Sequence, residues 1–477
     1  MPRRLPRITR PGTSTADRSG AVAALTLPRP RWASAVQVAA PACVVLLAFL
    51  FRLGWTAAFD ADPQRLFRWD STWYQHNAAH FWRFLGTTRL PSPEPVQAGP
   101  TPDLAWSAYW PPGYAAVLGA VYLLTGGPDL RAAELFQALL GAGATLLVYL
   151  AAAALMGRAV GLAAALVLAL FPGHALYAPV IMTETLASFL VAALLVAMVW
   201  LLRRETPPSL WAAAGLGLLA GGSSLVRGEF LPLGLACLGL LAVRYRPRRR
   251  GALWVGVGAL ALALPLSAWT ARNLLLLDAP VVISTGAADA FWDAHRPGAT
   301  GLPSLGAGGA LDQRLADLPY PQREVTTARI RLREGVRYLL THPVQEARLW
   351  LHKLYLLHRD DSSALDYITA WGQDKQVSQP VARALARAAT GYWHGVLASC
   401  FFSLPLWWRA PRRGPAALLP LLFVAVWVLT TAVLLLGYSR YHVPLAPAYA
   451  LLAAPALAMP WQALRGWSAA LRRARAA

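Results

Sequence analysis

Long apolar runs repeat from Ala35 to Pro460, and this repetition constrains the fold more than any other feature of the chain. A bilayer core asks for about 20 predominantly apolar residues per helix. Candidate spans are Ala35–Trp55, Ala132–Met156, Val160–Ile181, Thr185–Leu202 and Leu210–Leu225. They continue with Phe230–Val243, Ala252–Trp269, Gly391–Trp408, Ala416–Leu436 and Val443–Trp461. Of the 477 residues 56% are hydrophobic and 14% charged, against roughly 25% charged in soluble domains. The expectation is an all-α, polytopic transmembrane protein of about ten spans.

The charges fix the sides. Formal net charge is +21, and Lys353 and Lys375 are the only lysines, so the excess is arginine. Arg3/Arg4/Arg7/Arg10, Arg158, Arg203/Arg204, Arg244/Arg246/Arg248/Arg249/Arg250, Arg409/Arg412/Arg413 and Arg472/Arg473/Arg475 all fall on one side of these spans. That side is the cytoplasm by the positive-inside rule, and both termini lie there. Short clusters between apolar runs are not the continuous basic stripe of a nucleic-acid binder, so no nucleic-acid partner is expected. Cys43, Cys237 and Cys400 lie inside apolar segments and read as small core residues. The run Ser34–Trp55 lacks a small-residue cleavage pattern and reads as a first span, not a leader.

The resulting organisation is a basic cytoplasmic tail (1–33), a membrane domain (34–271) with a first outer loop (56–130), an extracytoplasmic region (272–390), C-terminal membrane helices (391–462) and a basic tail (463–477). The run Pro111–Thr125 is too short to span and would invert every later arginine cluster, so it is expected as an outer-face helix. Val344–His358 mixes apolar, basic and aromatic residues as an interfacial helix does.

The outer face carries the unusual polar residues. Asp60, Asp62 and Asp70 follow the first span, where Lys, Arg, Trp or Tyr would be the ordinary choice. Trp69, Trp73 and Tyr74 place Asp70 at membrane level, and a carboxylate there is a functional candidate. It suits the acceptance of a proton from a hydroxyl or amine attacking an activated sugar carbon. The bland alternative, a solvated acid paired with Arg65 or Arg68, weighs more heavily on Asp60 and Asp62. Asp60 and Glu184 join Asp70 as catalytic candidates, although Glu184, lying between two apolar helices, also suits the first turn of a helix. Arg227, Arg440 and, less strongly, Arg272 interrupt apolar sequence on the side where arginine is not expected. Each needs a partner such as Glu184, Glu229 or a substrate phosphate, which a guanidinium grips with two parallel bonds. Tyr74 and Tyr441 join them as candidate substrate contacts. His76 and His80 share a helical spacing but lack a convincing third ligand, so no metal site is assigned and a divalent metal is left open. No Walker loop, Rossmann fingerprint, HExxH or GxSxG motif is present, which argues against an ATP-driven pump.

The order of motifs resembles the GT-C class of polytopic glycosyltransferases, in particular the bacterial group related to protein O-mannosyltransferases and aminoarabinose transferases. The resemblance rests on Trp69-Asp70-Ser71-Thr72-Trp73-Tyr74, Trp110-Pro111-Pro112-Gly113-Tyr114, Tyr122-Leu123-Leu124-Thr125-Gly126 and Thr183-Glu184-Thr185-Leu186. It continues through Leu225-Val226-Arg227-Gly228-Glu229, Trp269-Thr270-Ala271-Arg272-Asn273, Ile283-Ser284-Thr285-Gly286, Pro297-Gly298-Ala299-Thr300-Gly301 and Ser439-Arg440-Tyr441-His442-Val443-Pro444-Leu445. The first loop is also similar to that of the mannosyltransferases of the glycosylphosphatidylinositol pathway. Two departures stand out: Trp110 where the family often has Lys, and Gly228 where it often has Pro.

The resemblance implies transfer of a sugar from a polyprenyl-phosphate-linked donor to a lipid, glycan or protein acceptor, on the extracytoplasmic face of the plasma or inner membrane, with an acid of the first loop as base. One base and a phosphate leaving group suit single-step inversion. No cofactor is implied. The competing reading is a transporter or flippase of a lipid-linked or anionic solute, which also wants membrane-level Arg and Glu. Against it stand the absence of a repeated half and the size of the outer loops. A non-catalytic envelope partner is a third reading.

Overall fold

The structure is a computed structural model that describes residues 31–59, 70–84, 107–245, 249–304, 308–370, 377–408 and 414–460. Ala40–Ala477 is one compact unit that contains every contact described below; of Met1–Ala39 only the start of the first helix is described. The described residues form helices and turns, with no strand among them, so the expected all-α class is borne out. Among the described residues six helices are long and apolar enough to cross a membrane: Val38–Phe59, Leu130–Met156, Thr183–Leu202, Gly251–Leu277, Pro415–Leu434 and Ser439–Pro460. Pro112–Thr125, Arg158–Ala169, Leu210–Ser224 and Phe230–Arg244 are shorter apolar helices. The chain is therefore a multi-pass membrane protein. The apolar half of a long helix, Gln379–Trp408, covers the expected run Gly391–Trp408. Helices form over Pro112–Thr125 and Pro343–His358, the two runs expected as outer-face helices.

The run Val160–Ile181 corrects one expectation, because it is not a continuous span. Its helix stops at Ala169, a single turn follows at Pro172–Ala175, and Thr183 opens the next helix. Proline ends the helix because it has no N–H to offer the carbonyl four residues back, here Leu168. Arg52, on the first span, replaces that donor. It donates to the carbonyls of Leu168 (3.3 Å) and Ala169 (3.4 Å), and to its own Ala48 (2.9 Å). A cation at a helix C-terminus is also favoured by the helix dipole. Arg52 further donates to His174 Nδ1 at 2.7 Å, which leaves His174 Nε2 to donate to Ser188 Oγ at 2.7 Å. All three side chains are buried.

Backbone proximity holds the spans together, since lipid gives no hydrophobic drive to their association. A Cβ at Gly217 would come within 2.1 Å of the Gly258 carbonyl, and one at Gly221 within 2.2 Å of the Leu262 carbonyl. This pair of small residues four apart lets Leu210–Ser224 lie directly on the Arg249–Leu277 helix. The last span is the most enclosed, with 78% of its apolar window buried against 17% for the first. Its head, a 3-10 turn over Ser439–Leu445, therefore sits in the middle of the bundle.

Candidate active site

Four helix ends meet at this turn. Asp70 opens the helix Asp70–Phe84, and Glu184 lies in the first turn of Thr183–Leu202. Both positions suit a carboxylate, because the first helical turn presents unpaired N–H groups and the positive end of the dipole. Arg227 and Glu229 occupy the connection between Leu210–Ser224 and Phe230–Arg244. Arg440 lies in the head of the last span, where the dipole opposes a cation, so its carboxylate neighbours hold it there.

The ion pairs form one chain. Arg440 Nη1 is 2.9 Å from Asp70 Oδ2, and Arg440 Nε is 3.1 Å from Glu184 Oε1. Arg227 Nη1 reaches the same Glu184 oxygen at 3.0 Å and donates to Thr183 Oγ1 at 3.1 Å. Arg227 Nη2 reaches Glu229 Oε1 at 2.9 Å. Arg440 also donates to the Tyr367 hydroxyl. Tyr441 lies between the guanidiniums, with Arg227 5.1 Å and Arg440 5.7 Å from its ring centroid. Exposure then separates the acids: Asp70 is 18% exposed and Glu184 is 0%. The Nε of Arg440 has no hydrogen-bond partner among the described residues, since its approach to Glu184 is off the bonding line.

The flanks are built from the motifs themselves. The Gly113 N–H donates to the Leu225 carbonyl at 2.7 Å, and a Cβ at Gly113 would collide with that carbonyl. Only glycine lets the Pro111-Pro112 corner lie against the turn that carries Arg227. Trp110 packs 5.5 Å from Tyr74, and Tyr74 sits 4.9 Å edge-on to Tyr114. On the other flank, His442 donates from Nδ1 to the Leu357 carbonyl (2.7 Å) and faces Asp361 Oδ1 at 3.1 Å. Trp393 stacks on His442 at 4.2 Å. Burial pushes the Asp361 carboxyl above its ordinary pKa, against the pull of His442.

The structure thus brings Asp70, Glu184, Arg227, Arg440 and Tyr441 together. Tyr74 is 3% exposed and belongs to the wall behind Asp70. Arg272 is held elsewhere, donating to the Ser107 carbonyl (3.1 Å) and Asn273 Oδ1 (2.8 Å), with Trp269 4.7 Å beneath it. Asp60 and Asp62 lie outside the described residues, as does the side chain of His80. Among the described residues no group of three or more His, Cys, Asp or Glu is set to hold a metal. Sequence reasoning missed Tyr367; its only signal was the acid-rich stretch Asp360 to Asp366 that precedes it.

Residues 110–269 match the family model of the dolichyl-phosphate-mannose-protein mannosyltransferases. No curated protein sequence matches the chain. Among solved structures, the chain is similar to the archaeal oligosaccharyltransferase AglB from Archaeoglobus fulgidus, in complex with an inhibitory peptide and a dolichol-phosphate. The TM-score is 0.51 at 12% identity, over 93% of this chain and 52% of that one. The apo form of the Archaeoglobus fulgidus oligosaccharyltransferase gives 0.48 at 13% identity, over 91% of this chain and 52% of that one. The chain thus spans about half the length of these relatives. Family match and fold together bear out the resemblance to the GT-C-type membrane glycosyltransferases.

Proposed function

We propose that the chain transfers a sugar from a polyprenyl-phosphate donor to an acceptor, with inversion, at the extracytoplasmic ends of its helices. The observation that carries the reading is Arg440: a part-exposed guanidinium held between the accessible Asp70 and the buried Glu184. A donor phosphate would take Arg440, helped by Arg227, while the acceptor hydroxyl attacks the anomeric carbon from the Asp70 side. The new carbon–oxygen bond forms, the bond to phosphate breaks, the hydroxyl proton passes to Asp70, and the arginines stabilise the departing phosphate. Glu184 has no exposed surface to meet an acceptor, so it serves as the counter-charge that holds both arginines.

The donor class is supported by the family match and by the dolichol-phosphate in the AglB structure. The side is supported by Arg203/Arg204 and Arg244, which lie at the far ends of the helices that begin at Thr183 and Phe230. The purified protein, given polyprenyl-phosphate mannose and a panel of acceptors, should release polyprenyl phosphate and form product of inverted anomeric configuration. Movement of the donor across vesicles without cleavage would instead make the protein a flippase.

A further inference from the structure

Beside the ion-pair chain lies an open cleft of about 450 Å³, within the range of roughly 300–1,000 Å³ usual for ligand sites. Trp73 and Tyr109 line one side of it, their rings 6.4 Å apart and inclined at 32°. Trp73 is three residues beyond Asp70 on the same helix, so their Cβ atoms stand about 5–6 Å apart. Asp289, Asp312, Arg323 and Arg331 bring the polar groups.

The cleft is built in advance. Glu324 Oε1 accepts from the Ala108 N–H (3.0 Å) and Thr285 Oγ1 (2.6 Å), and its Oε2 accepts from Ser107 Oγ (2.8 Å) and the Tyr320 hydroxyl. The Thr285 and Gly286 N–H groups donate to the Ala108 and Tyr109 carbonyls at 2.9 and 3.1 Å. Arg331 Nη1 meets Asp289 Oδ2 at 2.8 Å and its Nη2 meets Asp312 Oδ1 at 2.8 Å, while Asp289 also accepts from the Tyr109 hydroxyl at 2.8 Å. The walls are therefore fixed before any ligand arrives, which lowers the ordering cost of binding. Asp312 remains 55% exposed at the rim.

The chemistry of this lining selects the ligand. Three carboxylates and two guanidiniums leave no net positive charge, so the cleft is not built to hold a phosphate. It exposes no strand edge for an extended peptide among the described residues, and it is not an apolar groove for a helix. Aromatic rings set among carboxylates and guanidiniums fit a neutral polyhydroxylated ligand, whose C–H faces lie on rings and whose hydroxyls pair with acids and bases. We infer that the cleft walled by Trp73, Tyr109, Tyr320, Asp312 and Arg331 is the acceptor subsite and that the acceptor is a glycan. This rests on the proposed transfer for its role, but not for the binding itself.

The test is direct binding of neutral oligosaccharides to the purified protein in detergent, with manno-, gluco- and galacto-configured trisaccharides as probes. At least one trisaccharide should bind, Trp73→Ala should weaken it tenfold or more, and Asp312→Ala threefold or more. Because the ligand is uncharged, binding should change less than twofold between 0.05 and 0.5 M salt. Asp70→Asn should keep the binding while lowering transfer by about two to four orders of magnitude. Failure of every trisaccharide to bind, or binding that both cleft variants leave within twofold, overturns the assignment. So does an acceptor peptide that binds and loses affinity in Trp73→Ala. Trisaccharide binding without any transfer would leave the subsite standing and remove the proposed reaction instead.

Discussion

Arg52 and Arg440 each interrupt an apolar helix, and their surroundings could hardly differ more. Arg52 is wholly buried and donates to three carbonyls and one imidazole nitrogen, none of them anionic. It repairs the end of a helix that Pro172 cut short. Arg440 is 12% exposed and touches two carboxylates and a phenol, while the Nε of each arginine lacks a hydrogen-bond partner among the described residues. An intramembrane arginine is thus no functional sign by itself. What matters is whether its partners are anionic and whether a ligand can reach it.

The largest effect should come from the acid that shares Arg440. Asp70→Asn keeps the size of the side chain but removes the proton acceptor, so transfer should fall by about two to four orders of magnitude. Membrane insertion should be unchanged, which western blotting of membrane fractions can check. If Glu184→Gln abolishes transfer and Asp70→Asn spares it, the roles of the two acids are reversed.

Glu184→Ala should act through the fold as well as through the site. It strips the shared counter-charge from the buried Arg227 and the largely buried Arg440, a change that costs about 3–5 kcal/mol where a fully buried pair is broken. Thermal unfolding in detergent should show a loss of several degrees, with Glu184→Gln milder because it keeps the hydrogen bonds. An unchanged melting temperature for the alanine variant would show that Arg227 and Arg440 find other partners.

Much of the fold was legible in the sequence, because apolar length and arginine sidedness act locally. Glu184 at a helix start and Arg227 and Arg440 on the sparsely basic side announced themselves by being out of place. The break at Pro172 was misread because the run around it is uniformly apolar, and only the supply of donors by Arg52 from a distant helix lets it stand. Arg272 was read like Arg227, but Ser107 and Asn273 take it up, which only tertiary placement decides. Tyr367 joined the site through a π-helical turn, Asp366–Ala370, that no periodicity foretells.

That turn makes a smaller prediction. Burial, then the charge of Asp360, pushes the Asp366 carboxyl up to about 6, from an ordinary 3.8. The folded state then binds more protons than the unfolded between those values. Asp366 contributes stability that is full below pH 3.8 and lost as pH rises through about 6. Asp366→Asn should therefore gain on the natural chain near pH 7, by about 1 kcal/mol once solvent screening is allowed for, and the gap should close near pH 4. Melting temperatures over pH 4 to 7.5 would show the convergence; parallel curves would mean that Asp366 is not the titrating group.

The comparison of the two arginines is tested most directly by measuring Arg52→Met and Arg440→Met side by side, for thermal stability and for donor binding in the same preparation. The account predicts that Arg52→Met melts several degrees lower, yet the folded fraction binds polyprenyl-phosphate mannose within about threefold of the natural chain. It predicts that Arg440→Met loses a charge-assisted phosphate contact, so donor affinity drops at least tenfold while the melting temperature moves less than in Arg52→Met. Donor affinity that survives in Arg440→Met and fails in Arg52→Met would contradict the assignment of the site.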